Sequence, residues 1–199
     1  MPRSPNDALL REILPMPDIG PYAITLYPGR LDETCFINVM NRSHVVIANL
    51  VVPKRGDDVS IDGVVINQGS ITGGWALYVK HGKPTYVYNC VGVESYKVTG
   101  ANPLSAGEHQ VRVEFACRGL GPGGTATLFV DGARAGSMRV SRARLQHFWL
   151  NDAAPSLGAT EEGAHASMDF ALGTSAFGGQ IKWIRIEVAK APSAVRPLF

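Results

Sequence analysis

The chain has 199 residues, of which 45% are hydrophobic and 18% charged, and its formal net charge is +2. So small a charge excludes the strongly basic surface of a nucleic-acid-binding protein, and no apolar stretch has the length of a membrane-spanning helix. The length suits one globular domain that buries a substantial core.

The cysteines and the first residues indicate a cellular compartment. Cys35, Cys90 and Cys117 have unrelated spacings, which suit a reducing compartment and form no zinc motif. The N-terminus lacks the charged and apolar regions of a signal peptide. We therefore expect a cytoplasmic protein that uses no cofactor.

Residues 1–24 predict an arm with one short linker helix. Ser4 followed by Pro5 is typical of a helix start, and the apolar side chains of Leu9, Leu10 and Ile13 then share one face. An isolated helix of this length is marginal in water, so it needs a surface to pack against. These three leucine and isoleucine residues are therefore candidate docking residues, and we expect self-association where the arm is not docked.

Residues 25–190 predict short strands separated by turns. The apolar run His44–Val52 has the length of a strand, and Trp75–Lys80 and Val111–Phe115 alternate between two faces. The pair Asp131–Gly132 is a strong hairpin signal. About ten short strands at this spacing indicate an all-β sandwich of two antiparallel sheets rather than βαβ units. The remaining residues, 191–199, are expected to form a flexible tail.

Several motifs resemble a known family when they are taken in order and at their spacing. GGWALYVK occupies residues 73–80, PLSAGEH residues 103–109 and TATLFVDG residues 125–132. Together they resemble the C-terminal β-sandwich region of bacterial type I arylsulfatases, the formylglycine-dependent sulfatases. The similarity extends to NRSH at 41–44 and GGQIKWIRIEV at 178–188, and so covers nearly the whole chain.

The resemblance implies a fold and a non-catalytic role. The fold would be a concanavalin-like or lectin-like jelly roll with a short N-terminal helical arm. A type I sulfatase needs a C-x-P-x-R motif, and no cysteine here has proline at +2 or arginine at +4. The resemblance thus implies a non-catalytic accessory domain that packs on a sulfatase catalytic domain or on a separate sulfatase chain. The N-terminal arm would then be the remnant of a longer chain.

One aromatic group is a candidate ligand or interface face. It is dense in sequence and consists of Trp75, Tyr78, Tyr86 and Tyr88, with Asn89 beside it. The functional interpretation is a platform on which a sugar stacks, and the alternative is core packing for Trp75 and sheet-surface packing for the tyrosines. Packing is favoured because few polar side chains lie nearby in sequence.

Trp183 is a further candidate docking residue. If Ile184, Ile186 and Val188 face the core, Trp183 shares the opposite face with Arg185 and Glu187. A large exposed aromatic side chain needs a partner or a covering segment. The alternatives are contact with a second chain or cover by the long loop at 151–166.

The sequence predicts no catalytic residue and no metal site. The five histidines are dispersed, and no serine or cysteine lies at a recognisable nucleophile elbow. The carboxylates predicted on strands are isolated, whereas a glycosidase needs two of them close together. Two functions stay open: a sulfatase accessory domain, or a free-standing lectin-like module that binds carbohydrate.

Overall fold

The computed structural model describes residues 22–28, 39, 42–54, 61–70, 73–90, 92–118, 123–141, 156–158, 169–170 and 176–189. The candidate docking residues of the arm and the predicted tail therefore lie outside the described residues. Within these ranges the chain forms no helix, and hence none that is long and apolar enough to cross a membrane.

Eleven strands form in the described part of the chain. They are β1 (Tyr22–Leu26), β2 (His44–Val52), β3 (Gly63–Ser70), β4 (Gly73–Lys80), β5 (Lys83–Cys90), β6 (Glu94–Thr99), β7 (Gly107–Cys117), β8 (Gly124–Val130), β9 (Ala133–Val140), β10 (Ser156–Leu157) and β11 (Gln180–Val188). The first strand begins at Tyr22, inside the segment predicted as the arm.

The strands form two antiparallel sheets. The large sheet has the order β1-β11-β2-β7-β8-β9, and the small sheet has the order β10-β3-β4-β5-β6. This arrangement confirms the prediction of an all-β, lectin-like sandwich of two antiparallel sheets. The Asp131–Gly132 pair joins β8 to β9 with both residues at positive φ, as the hairpin signal predicts.

The large sheet has one dry face and one face toward solvent. In β2 the side chains of Val46, Ala48 and Leu50 are fully buried, while their neighbours Val45 and Ile47 are partly exposed. This alternation places every second residue between the two sheets and leaves the others on the outer face.

The three middle strands of the small sheet, β3 to β5, are buried on both faces, whereas the edge strand β6 has exposed side chains. The side chains of Trp75, Leu77 and Val79 in β4 belong to the core between the sheets. On the opposite face, Tyr78 packs in a second apolar cluster together with Phe170. Because residues 169–170 lie over this face, the outer face of the small sheet is not a free surface at the second cluster.

Two glycines allow β3 and β4 to approach closely. Gly69 and Gly74 are paired, and both have positive φ. A Cβ atom on Gly74 would lie 2.2 Å from the carbonyl oxygen of Gln68. Backbone on the neighbouring strand therefore occupies the space that a side chain would need.

Replacing Gly74 with alanine should destabilise the fold by about 3 kcal/mol, because strain at positive φ adds to a clash with backbone. Gly107→Ala is the matched control: Gly107 also has positive φ, but a Cβ there meets nothing within 4 Å. We expect the control to lose only about 1 kcal/mol. Chemical denaturation measures both changes, and equal losses would contradict the close approach of β3 and β4.

Candidate functional site

The five residues predicted as a ligand or interface face are all buried. Trp75, Tyr78 and Tyr86 have no exposed surface, and Tyr88 and Asn89 retain 5%. Trp75 and Tyr86 face the large sheet, with ring centroids 6.1 Å apart, and Tyr88 stacks on Phe115 at 5.8 Å. These three aromatic side chains belong to the core between the sheets.

Tyr78 and Asn89 lie on the opposite side of the small sheet. The Tyr78 hydroxyl donates a hydrogen bond to Asp169, and its ring meets Phe170 edge-on at 5.4 Å. Asn89 accepts a hydrogen bond from the backbone N–H of Gly92 at 2.8 Å. The structure thus divides the predicted group between two faces, and its ligand-binding role stays a prediction without an exposed surface to support it.

Trp183 lies on β11, on the outer face of the large sheet, and is half-buried. A β-bulge interrupts the pairing of β11 with β2 between Ile181 and Trp183, so Lys182 has no partner in the ladder. Ile181 and Ile184 are both buried, whereas the two residues between them are not. A bulge adds one residue to a strand and re-aims the side chains beside it. Here it returns Ile181 to the core, while Trp183 keeps the outward position that alternation from Ile184 gives it.

Trp183 belongs to a line of side chains that crosses the large sheet. Asn49 of β2 pairs with both Trp183 and Gln110 of β7. Gln110 in turn exchanges hydrogen bonds with Asp131, whose carboxylate accepts from the Gln110 N–H at 2.8 Å. Tyr27 is the first residue after the Leu26–Ile184 pair, so continuing the register of β1 and β11 by one residue would place it opposite Trp183. We call Tyr27, Trp183, Asn49, Gln110 and Asp131 the Trp183 row.

The Trp183 row combines aromatic and polar side chains in a fixed order. It spans four interstrand steps, about 19 Å. Tyr27 is 65% exposed, and Gln110 and Asp131 are also exposed. The side-chain oxygen of Asn49 is buried and has no hydrogen-bond partner among the described residues. The row therefore offers two aromatic rings, two amides and a carboxylate along one line.

Ion pairs lie on both sides of the Trp183 row. Lys182 reaches across β2 to Glu108, and Arg185 pairs with Glu187 at 2.7 Å. Because each cation has an anion beside it, these side chains fix the edges of the row without creating a strongly charged patch. Exposed ion pairs of this kind contribute little to stability.

A serine, a histidine and an aspartate meet at one end of the row. His109 Nδ1 lies 2.7 Å from Asp131 Oδ2, and its Nε2 lies 3.2 Å from Ser105 Oγ. The sequence alone did not reveal this arrangement, because Asp131 of the β8–β9 turn lies 22 residues after His109 at the start of β7. Its order is that of the triad found in serine hydrolases.

The hydrogen bonds of His109 oppose a catalytic role. Its Nε2 also lies 2.9 Å from the carbonyl oxygen of Ser105, which can only accept a hydrogen bond. Partial burial raises the pKa of Asp131, but bonds from Gln110 and His109 hold it below its ordinary value. Both ring nitrogens therefore face acceptors, and neither is left to take the Ser105 proton. The group joins two turns, and no cluster of metal-ligating residues occurs in the described ranges.

Buried polar groups without partners gather at the opposite end of the sandwich, where β2 begins. The Nδ1–H of His44 donates to the carbonyl oxygen of Arg42 at 3.0 Å, and the imidazole stacks on Phe115 at 5.2 Å. His44 Nε2 and the Tyr86 hydroxyl have no partner in the part of the chain that is described. Burial lowers the pKa of His44 to about 4, so the ring is neutral at pH 7.

Arg42 is the least expected of these groups. It is 2% exposed, and its Nε and Nη1 have no hydrogen-bond partner among the described residues. The sequence offered one signal for it: Arg42 and His44 alternate with Ser43 at the start of an apolar strand.

No protein-family model matches the chain, and no curated protein matches it. Among solved structures, a leech intramolecular trans-sialidase in complex with 2,7-anhydro-Neu5Ac is similar at a TM-score of 0.53 and 14% identity, over 86% of this chain and 26% of that chain. Mouse laminin α1 domains LG4–5 follow at a TM-score of 0.46 and 15% identity, over 88% and 42% of the two chains.

The receptor-binding domain of botulinum neurotoxin type G is similar at a TM-score of 0.43 and 10% identity, over 76% of this chain and 36% of that domain. The chain thus spans less than half of the length of each of these structures. At such identities the similarity establishes the fold alone.

The resemblance to arylsulfatases is wrong. No family model or curated protein connects the chain with sulfatases, and the similar structures named above are a trans-sialidase, laminin LG domains and a neurotoxin receptor-binding domain rather than sulfatase C-terminal domains. The matching motifs are strand and turn signals of the sandwich, such as VDG at the β8–β9 hairpin, so they identified the fold and not the family. Without this resemblance, nothing supports the prediction of a sulfatase chain as a partner.

The buried, neutral His44 should make stability depend on pH. Its folded-state pKa lies below the unfolded value of 6.5, so the unfolded state binds the extra proton as pH falls from about 6.5 to about 4. Stability is therefore complete above pH 6.5 and declines toward pH 4, by up to roughly 3 kcal/mol. Thermal unfolding across this range measures the loss. His44→Phe, which keeps the stacking, should flatten the profile between pH 6.5 and 4, and an unchanged profile would exclude His44 as its source.

Proposed function

We propose that this chain is a non-catalytic module that binds saccharides, with the Trp183 row as its binding surface. One observation supports this above the others: Trp183, Asn49 and Gln110 are cross-strand neighbours on the outer face of the large sheet, and the exposed Tyr27 lies at its β1 edge. Saccharide sites need this pairing, because a sugar ring offers both apolar C–H faces and hydroxyl groups.

The order of side chains along the row suits a chain of sugar units. Tyr27 and Trp183 present flat apolar surface at the β1 edge of the sheet, where a ring can stack. Asn49 and Gln110 follow with amides that can both donate and accept hydrogen bonds from hydroxyls, and Asp131 follows with a carboxylate that accepts them. A row of about 19 Å has room for several units of an extended oligosaccharide.

Docking of a protein chain is the alternative use of this face. A protein interface has an apolar centre from which charged residues are depleted. Around Trp183, however, the structure places Asn49, Gln110 and the Lys182–Glu108 pair. Polar groups that converge on an aromatic ring favour a saccharide over a flat protein partner. The trans-sialidase structure, 26% of whose chain is similar to this one, is a complex with 2,7-anhydro-Neu5Ac, so sialylated glycans belong among the first probes.

Trp183→Ala should remove most of the saccharide affinity, because stacking on the indole is the largest apolar contact that the row offers. A glycan array identifies the ligand, and titration calorimetry should then show a loss of roughly 30-fold or more. Phe129→Ala is the matched control: Phe129 is an aromatic residue on the same face, covered by Arg112 at 4.3 Å and outside the row. An equal loss in both variants, with both folded, would refute the Trp183 row as the binding surface.

Asn49→Ala should weaken binding without weakening the fold. Its buried oxygen has no partner, so its removal should leave the free energy of unfolding unchanged or raise it by about 1 kcal/mol. Asn67→Ala is the contrasting variant, because the buried Asn67 amide donates to the Gly69 carbonyl oxygen at 3.0 Å and its loss should destabilise the protein. Chemical denaturation and calorimetry separate the two effects. Destabilisation by Asn49→Ala equal to that of Asn67→Ala would assign Asn49 a structural role.

A further inference from the structure

Arg42 carries a positive charge that nothing described in the protein balances. A guanidinium stays charged at any accessible pH, so burial cannot be relieved by loss of a proton. Burying a charge without a partner is costly, and native proteins pair almost every buried charge. The described ion pairs involve other residues, such as Asp169 with Lys97 and Glu187 with Arg185. The described residues therefore leave the charge of Arg42 without a balancing anion.

The position of Arg42 suits a ligand better than a structural ion pair. The residue directly precedes β2, at the end of the sandwich where the strands meet their loops. Its neighbour on the inner face is His44, and its charge also acts on the half-buried Tyr22 of β1. Arg42 thus lies at the end of a strand, close enough to the edge strand β1 for its charge to act there.

Two more buried polar atoms without a partner among the described residues belong to neighbouring rings. The centroids of His44 and Tyr86 each lie 6.1 Å from that of Trp75. The Tyr86 hydroxyl can donate a hydrogen bond to an oxyanion, whereas the neutral His44 Nε2 can only accept one and adds no bond to an anion. Buried polar atoms normally find a partner, so the unpaired guanidinium of Arg42 needs an explanation of its own.

We propose that Arg42 binds an oxyanion, a carboxylate or sulfate group, at the end of the sandwich where β2 begins. The planar guanidinium presents Nε–H and an Nη–H in the fork that matches two oxygens of such a group. The source of the oxyanion is either an acidic saccharide or a free inorganic ion. The two share the chemistry at Arg42 and differ in whether the rest of the ligand adds affinity.

This site is separate from the Trp183 row and does not depend on it. His44 and Asn49 are five residues apart on β2, about 17 Å, and they face opposite sides of the large sheet. A ligand held by Arg42 therefore leaves the row free, and a variant at one site should not change binding at the other.

The test compares anion binding by the unmodified protein and three arginine variants. The ligands are sulfate, glucuronate, 3′-sialyllactose and, as the neutral control, lactose, all at millimolar concentration and matched ionic strength. Low concentrations matter because sulfate at high concentration stabilises proteins in general. Calorimetry and thermal unfolding measure affinity and the shift in Tm. Arg42→Met removes the charge, Arg42→Lys keeps it without the fork, and Arg139→Met removes an exposed arginine on β9.

We expect an oxyanion to raise the Tm of the unmodified protein and of Arg139→Met, and not of Arg42→Met. Arg42→Lys should bind at least about tenfold more weakly, as loss of a two-point contact requires. Arg42→Met without ligand should melt at the same temperature as the unmodified protein or higher, because it loses an unbalanced charge. Binding of sulfate as tight as that of the acidic saccharides would assign the site to a free ion, and tighter binding of a saccharide would assign it to the glycan.

Three results would overturn the proposal. One is an anion effect that is equal in all variants. Another is the absence of any effect with all three anions. The third is destabilisation of Arg42→Met and Arg42→Lys in the absence of ligand, which would mean that the guanidinium already has a partner within the chain. A response to lactose that survives Arg42→Met belongs to the Trp183 row, so the two proposals can fail independently.

Discussion

The burial of both faces of the small sheet along its middle strands is the constraint on which the rest of the structure depends. Its inner face joins the large sheet in the core, and its outer face is covered where Phe170 packs on Tyr78. Lys97 and the Tyr78 hydroxyl hold Asp169 beside it, and Lys80 lies 4.5 Å from the centre of the Phe170 ring. Of the sheet faces, the outer face of the large sheet is consequently the one that can meet a partner over several strands.

The bulge in β11 determines what that face presents. Strict alternation from the buried Ile184 back along the strand would place Trp183 and Ile181 together on the outer face and Lys182 in the core. The additional residue lets Ile181 return to the core while Lys182 and Trp183 both avoid it. Without the bulge, Lys182 would be buried and Ile181 would be lost from the core. The bulge therefore keeps Ile181 in the core and places Lys182 on the outer face beside Trp183.

The sequence was sufficient for features that depend on neighbouring residues. Alternation identified β2, β4 and β7, and Asp131–Gly132 identified the β8–β9 hairpin, because both signals are local. Alternation also implied that Trp183 is opposite to Ile184. It could not show that Tyr78 is covered by Phe170, which lies 92 residues away in sequence. The family resemblance failed for a related reason: turn and strand motifs constrain a fold, and unrelated chains of one fold share them.

Neither candidate site could be predicted, since each depends on register between distant strands. Tyr27, Asn49 and Trp183 are adjacent only because β11 pairs with β1 on one side and with β2 on the other. The same non-local pairing brings Ser105, His109 and Asp131 into a triad-like order that the bonding of Nε2 then contradicts. The sequence carries only a weak signal for Arg42. This residue is two residues before His44, so it follows the alternation of the core-facing side chains of β2, but a charged residue before a strand is usually assigned to a loop.

Asn49 and Arg42 both depart from the rule that buried polar groups have hydrogen-bond partners, and they do so in different parts of the sandwich. Most of the sandwich satisfies its buried polar groups, as Asn67 and Asn89 do through backbone contacts. An unpaired amide oxygen and an unpaired guanidinium each reduce stability, and a fold selected for stability alone would replace them with apolar side chains of similar size. Local violations of this kind concentrate at functional sites, where an external partner completes the hydrogen bonds. One violation lies on an open sheet face beside two aromatic rings, and the other lies beside a neutral histidine at the end of the core. That difference is why we assign a hydroxyl-rich saccharide to the first and an oxyanion to the second.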